Sequence, residues 1–498
     1  MSTGMDAAAA EPALRRLGRR ALSLGAANAF DYAIQFLLPV VLVRYLDADA
    51  FGQYRLLWLE TGTVMAVVTQ AMSGSLYYFL PRSDTEAKRL YINQTLLFLS
   101  AAGMLGAWAV SAWNPWLPDK MLDLARHDAI VPAFVMLWVV ASMLDLIATA
   151  EERVAWQAKA TVSLSVLRAA GLSLAAILTR ELEPVLLTLL GFVAFKVALL
   201  LGYVAKHHGL RGPLMRRRTF ADQLRQSAPF GFAGALYGLR MQADQWVAAA
   251  LFSVGMFASF SIAAVLGPLV HLCRQSVLHA FLPSVSRRQA AGDVAGMLEL
   301  NSRGNVMVAA LVYPLLVFAF VFAEEIVTIV YTANYVAAAA VMRVYTVGMG
   351  ALVVELATVM LLLRQGAFAM RLGVIALTLS VAVSWSAARD FGLAGAATGS
   401  VIAIYVDHAA TLWRISRRTG ISVGRLQDWR SLGLLLACAA LAGLFAWSVT
   451  DYFFAGSGAL ARVFAGGALL ASAYAALTVA SGAGRSWLVA FGNPESGT

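Results

Sequence analysis

Charge is scarce in this 498-residue chain. Only 13% of its residues are Asp, Glu, Lys or Arg, against roughly a quarter in an ordinary soluble domain. That deficit excludes an ordinary soluble fold. Cysteine is nearly absent, with Cys273 and Cys438 both inside apolar stretches, which excludes a disulfide framework. The six histidines do not cluster with the cysteines at metal-ligand spacing, so neither a metal centre nor any other cofactor is expected. The chain has no Walker loop, no G-x-S-x-G and no H-E-x-x-H, which argues against an ATPase, a serine hydrolase or a zinc protease. No small-residue cleavage site follows a short apolar core near the N-terminus, where Arg15, Arg16, Arg19 and Arg20 lie, so no cleavable signal peptide is expected.

Apolar residues are what the chain has instead, at 60% of the whole. They recur in runs as long as a bilayer-spanning helix. The reading is an all-α polytopic membrane protein with about 14 transmembrane helices, near residues 21–44, 53–80, 89–111, 130–150, 158–179, 184–205, 226–250, 256–282, 304–322, 336–363, 367–388, 392–415, 431–449 and 459–480. Alternate loops are basic: Arg82, Lys88 and Arg89, then Arg153 and Lys159, then "KHHGLRGPLMRRR", then Arg287 and Arg288, then Arg364 and Arg371, then "RISRRTGISVGR", then Arg485. The loops between them are short and mostly acidic. The positive-inside rule therefore puts both termini and every basic loop in the cytoplasm. It also accounts for the net charge of +10 as a topology signal, aided by anionic lipid at the inner surface, with no nucleic acid implied. The longest outer loop, 112–129, is too short for a catalytic domain, so a transporter is expected and an enzyme is not.

The expected organisation is a cytoplasmic N-terminus (1–20), an N-lobe of six spans (21–205), an inter-lobe loop (206–225), a C-lobe of six spans (226–415), a loop (416–430), two C-terminal helices (431–480) and a cytoplasmic tail (481–498). A shift of 206 residues lays Gly25 on Gly231, Val41 on Val247 and Phe51 on Phe257 without gaps. Both lobes start in the cytoplasm, which makes the repeat parallel, with a pseudo-two-fold axis along the membrane normal and a binding site expected between the lobes.

Several spans carry charge that lipid would not tolerate. Asn28, Asp31 and Gln35 share one helix face, with Pro39 beyond them. Span seven holds Tyr237, Arg240 and Asp244; span eight holds Pro268, His271, Arg274 and Gln275; span two holds Glu60, Thr63 and Gln70. Asp145, Arg168, Lys196, Arg343, Glu355 and Asp407 are further intramembrane charges. Two readings stand side by side. Arg240 and Asp244, one turn apart, could neutralise each other, and Asp145, Arg168 and Asp407 could be structural pairs. Taken as a set, the residues suit a polar cavity for an anionic ligand, with Arg240, Arg274, Asp31, Gln35, Tyr237, Asp244, His271 and Lys196 as candidate contacts. Asp31 and Glu60 are candidates for coupling, since a carboxylate could take up H⁺ or Na⁺.

The stretch "ALSLGAANAFDYAIQFLLPVVLVRYLDADAFGQYRLL" resembles the opening of the polysaccharide transporter (Wzx-type) oligosaccharide flippase family, with Phe51-Gly52-Gln53-Tyr54 as its Phe-Gly-x-Tyr element. "LYGLRMQADQWVAAALFSVGMFASFSIAAVL" resembles that family's seventh helix, with an Asp such as Asp244, although Phe257-Ala258-Ser259-Phe260 lacks the usual Gly and Tyr. The family lies in the multidrug/oligosaccharidyl-lipid/polysaccharide exporter superfamily. The resemblance implies two six-helix lobes around a central cavity plus two C-terminal helices. It implies a flippase in a bacterial inner membrane that moves an undecaprenyl-diphosphate-linked oligosaccharide between leaflets, with membrane lipid and polysaccharide polymerase and chain-length proteins as partners. A peptidoglycan-precursor flippase, a cation-coupled multidrug antiporter and a non-transporting assembly component remain alternatives.

Overall fold

Apolar runs become helices here because the backbone can satisfy its own hydrogen bonds only that way in hydrocarbon. The computed structural model describes residues 3–117, 121–127, 129–209 and 212–482, and no strand occurs among them. The side chains of the N-terminal arginines, of Gln70 and Pro268, and residue Arg485 lie outside the described residues.

Contacts divide the chain into two units, residues 1–242 and 243–498. The first unit runs α1 (Thr3–Tyr45), α2 (Ala48–Met72), α3 (Leu76–Phe79), α4 (Thr85–Ala109), α5 (Leu122–Ala125), α6 (Ile130–Ala141), α7 (Leu144–Ala150), α8 (Val154–Thr179), α9 (Leu182–His208) and the start of α10 (Arg217–Leu251). The second holds the rest of α10, then α11 (Val254–Ile262), α12 (Gly267–Ala290), α13 (Val294–Val321), α14 (Ala323–Tyr331), α15 (Ala338–Leu352), α16 (Ala357–Leu362), α17 (Gly366–Thr419), α18 (Val423–Leu426), α19 (Trp429–Phe453) and α20 (Ala459–Ala480). Helices begin where a polar side chain can take an orphan N–H. Asp84 accepts from Ala87, Asp293 from Gly296, and Asp428 from Ser431, opening α4, α13 and α19.

Within the first unit α1 packs on α8, and α4 on α6. Small residues allow the close approach: a Cβ on Gly103 would stand 2.8 Å from the Met136 carbonyl oxygen. Leu76, Ile92, Leu99, Val139, Ile147 and Leu200 are among the buried residues of this unit's core. In the second unit α17 is two helices. Gly392, at φ 59° and ψ −139°, turns the chain back, and Gly399 lies so close to the Ser380 carbonyl that no side chain would fit between the two halves. Helices α19 and α20 pack on each other and on α13.

Among the described residues nine helices are long and apolar enough to cross a membrane, and Gly366–Thr419 counts once among them. This is an all-helical, multi-pass membrane protein. The nine do not include α2, α10 or α12. Those three helices carry Glu60, Arg240, Asp244, His271 and Arg274. Their polarity marks helices that present a face to something other than lipid.

Four expected spans are interrupted: the fourth at 142–143, between α6 and α7, the eighth by a 3₁₀ turn at Ala263–Leu266, between α11 and α12, and the second and the tenth besides. The second gives way after Met72 to short turns of 3₁₀ and α-helix. The tenth breaks at 353–356, between α15 and α16. Helix α14, with Glu324 and Glu325 in its first turn, falls between the expected ninth and tenth spans and is an addition to the sequence reading.

Candidate functional site

In the first unit the polar face of α1 meets α8. Asp31 Oδ1 accepts from Ser165 Oγ at 2.5 Å and from Arg168 Nη2 at 3.2 Å, and Oδ2 accepts from Gln35 Nε2 at 2.7 Å. Asp31 and Arg168 are thus an ion pair between two spans, and Gln35 remains exposed beside them. Lys196, on α9, pairs with Asp145 at 2.8 Å and sits 5.1 Å from the Trp138 ring centre. Arg168 and Asp145, expected as members of structural pairs, each have a partner of opposite charge, and those partners are the cavity candidates Asp31 and Lys196.

The Lys196 pair is lopsided. The lysine side chain is 8% exposed and the Asp145 side chain 58%. Removing Asp145 therefore strands a buried ammonium, whereas removing Lys196 leaves a carboxylate that the protein does not enclose. We expect Asp145→Asn to lower the thermal unfolding midpoint in detergent more than Lys196→Met does. The reverse order would mean that the pair does not hold these helices.

Glu60, on α2, is only 4% exposed, and its Oε2 has no hydrogen-bond partner among the described residues. One turn on, Thr63 Oγ1 donates to Gln242 Oε1 at 2.9 Å. Gly62 leaves room for that glutamine, and Gly238 lies against Ala66. On α10, Arg240 is half-buried and Tyr237 is 62% exposed.

In the second unit Asp244 is buried. Its Oδ2 accepts from Ser400 Oγ at 2.6 Å and from Tyr345 OH at 2.8 Å, and its Oδ1 from the Gln245 N–H. The acid that the sequence paired with Arg240 is satisfied by hydroxyls of α15 and α17. Under the 206-residue shift Asp244 aligns with Leu38, so it has no acid at the matching place in the first unit.

Arg274, on α12, is also engaged. Its Nη2 is 3.3 Å from Glu355 Oε2, and its Nη1 donates to the Leu352 carbonyl at 3.0 Å. His271, one turn earlier, is exposed. Glu355 lies in the break between α15 and α16. Asn301 and Asn305 of α13 take its carbonyl and its N–H. Its carboxylate accepts from the N–H groups of Ala357 and Thr358 and so opens α16. His408, from the second half of α17, faces the same break. Interrupted membrane helices of this kind place free backbone groups at a binding site. Beside the break an open, apolar groove of about 590 Å³ is lined by Tyr313, Gly350, Val354, Tyr405, His408 and Trp429, among others.

The sequence reading passed over Ser165, Tyr345, Ser400, Asn301, Asn305 and His408. Each is a common residue type in an apolar run, and only the fold brings it to its partner.

No family model matches the chain, and no curated protein matches it. Solved structures do. The lipid II flippase MurJ, in an inward closed conformation, aligns with a TM-score of 0.64 at 12% identity, over 91% of this chain and 98% of its own. An inward-facing multidrug resistance MATE family transporter of the MOP superfamily aligns at 0.56 and 13% identity, over 78% and 96%. The Vibrio cholerae MATE transporter VcmN, in mutant form, aligns at 0.54 and 11% identity, over 83% and 98%. At such identities the likeness is one of fold. The chain is a multi-pass membrane protein with the helical transporter fold that these three proteins share.

Proposed function

We propose that this protein flips an undecaprenyl-diphosphate-linked oligosaccharide from the cytoplasmic to the outer leaflet of a bacterial inner membrane, for surface polysaccharide, O-antigen or exopolysaccharide synthesis. The observation that carries the reading is the extent of the fold likeness: 91% of the chain with a lipid II flippase, against 78% and 83% with two MATE transporters. A lipid-linked glycan asks a transporter to shelter an anionic, hydrated headgroup while its tail stays in lipid. The polar helices α2, α10 and α12 suit that task among the apolar ones.

In this reading Arg240, His271, Tyr237 and Gln35 are kept as candidate contacts for the anionic headgroup. Arg274 could offer a phosphate only the donors that Glu355 and Leu352 leave over. Asp244 and Lys196 hold helices together. Asp31 and Glu60 are the coupling candidates for H⁺ or Na⁺: a cation would have to compete with Ser165, Arg168 and Gln35 at Asp31, whereas one Glu60 oxygen has no partner among the described residues. Both termini are cytoplasmic, and a polymerase and chain-length proteins would act on the product.

The test is rescue of polysaccharide export in a strain that lacks its own flippase. The wild-type chain restores export. Asp31→Asn lowers it more than Asp407→Asn at equal protein level, because Asp31 ties α1 to α8 and Asp407 lies farther along α17 toward the basic loop. Equal losses would remove Asp31 from the working site. A multidrug antiporter, the alternative that the two MATE alignments favour, would instead protect a sensitised host from cationic drugs and leave export unrestored.

A further inference from the structure

His408 holds an arrangement that one protonation state satisfies better than the other. Its Nδ1 lies 3.0 Å from the Ile404 carbonyl oxygen, one turn back on its own helix. Its Nε2 lies 3.2 Å from the carbonyl oxygen of Val354, in the break between α15 and α16. A carbonyl oxygen can only accept a hydrogen bond. A neutral imidazole has one N–H and one lone pair, so it can serve one of these oxygens while its lone pair faces the other; an imidazolium donates to both.

We propose that His408 is a proton-binding site: protonated, it pins the second half of α17 to the broken segment at Val353–Leu356, and neutral, it releases that segment. The inference rests on the transport reading for its purpose, since it names the proton as the ion whose binding is linked to helix movement.

Three observations support it. The ring is rigid, so a turn that relieves the lone pair at one carbonyl also displaces the other nitrogen. The Val354 carbonyl depends on the histidine, because the Thr358 N–H that would bond it in a continuous helix bonds Glu355 Oε1 instead. His408 is also not sealed in the core: it is half-buried and lines the open groove. The other titratable or charged groups around it are Tyr313 from α13, Tyr405 and Asp407 from its own helix, Glu355 in the break and Arg274 from α12. Tyr405 OH donates to the Val347 carbonyl, and Glu355 is committed to Arg274 and the start of α16. Both hydrogen bonds of the His408 ring go to carbonyls. In the exchange itself, hydronium gives its proton to the ring nitrogen that carries the lone pair and leaves as water, release is the reverse, and no other bond changes.

The test uses the full chain, purified in lipid nanodiscs, with ¹⁵N-labelled histidine. His408→Gln identifies the His408 signal among those of the six histidines. Spectra at about pH 5.5 and about pH 9, on either side of the range where histidine titrates, should show both ring nitrogens protonated in the first and one in the second. Amide hydrogen exchange over residues 352–358, corrected for its intrinsic pH dependence, should be about tenfold faster at the higher pH in the wild type and equally fast at both in His408→Gln. A single protonated ring nitrogen at the lower pH, or corrected exchange in the wild type that does not change with pH, would overturn the proposal. The wild-type measurements decide it even if the variant does not fold. Neither readout needs a substrate, so failure of the flippase reading would show separately, as absence of glycan transport at every pH.

Discussion

Replacing Arg274 by alanine is expected to destabilise the protein by about 3–5 kcal/mol, because it strands Glu355 in the interior. The Glu355 side chain is 9% exposed and that of Arg274 24%. Their attraction offsets the removal of two charges from water, and losing one partner leaves that cost uncompensated. Glu355 also accepts from the N–H groups of Ala357 and Thr358, so its loss of balance reaches the start of α16. Arg274→Ala together with Glu355→Gln should recover most of the stability, since a neutral amide can still accept from α16 and strands no charge. Unfolding midpoints in detergent and protein levels in the membrane read this directly. A single variant as stable as the wild type would mean that the pair contributes nothing. The double variant also divides structure from transport. If it is stable but exports no polysaccharide, Arg274 acts on the headgroup; if it exports normally, the arginine serves the fold alone.

Asp244→Leu should have a comparable effect, about 3–5 kcal/mol, from two lost hydrogen bonds to a buried acid and the two hydroxyls left stranded. Ser400 and Tyr345 both donate to Asp244 Oδ2, and through them α10 is tied to α15 and α17. Asp244→Asn keeps an oxygen that can accept and should cost about 1–2 kcal/mol. Thermal unfolding of the two variants beside the wild type checks the order. If asparagine and leucine were equally damaging, the carboxylate would be serving something other than these two hydroxyls.

The membrane class was open to reading because composition and run length alone decide it. Partners were not. From sequence the near neighbour of Asp244 is Arg240, one helical turn away, since local spacing is the only geometry a sequence displays. Two of its donors, Tyr345 and Ser400, stand 101 and 156 positions along the chain. Asp31 was expected to meet a neighbouring helix or a wet cavity, but Ser165 and Arg168 became its partners only once α1 was laid on α8. The break at Val353–Leu356 has no glycine or proline to announce it. It is held by Asn301 and Asn305 on α13, which bond the Glu355 backbone, so its cause lies about fifty residues upstream, as the separations of 54 and 50 show. The fold-back at Gly392 could be placed in advance, because two apolar runs of spanning length meet there.

Transport of a defined glycolipid by the purified protein is the most direct test of the account. The chain would be reconstituted into vesicles carrying a labelled undecaprenyl-diphosphate-linked oligosaccharide in the inner leaflet, and the appearance of label at the outer surface would be followed by a reagent that cannot cross the bilayer. The account predicts that label appears faster than in protein-free vesicles. Label that appears no faster than without protein, from vesicles whose protein does exchange cationic drugs for protons or sodium, would contradict it.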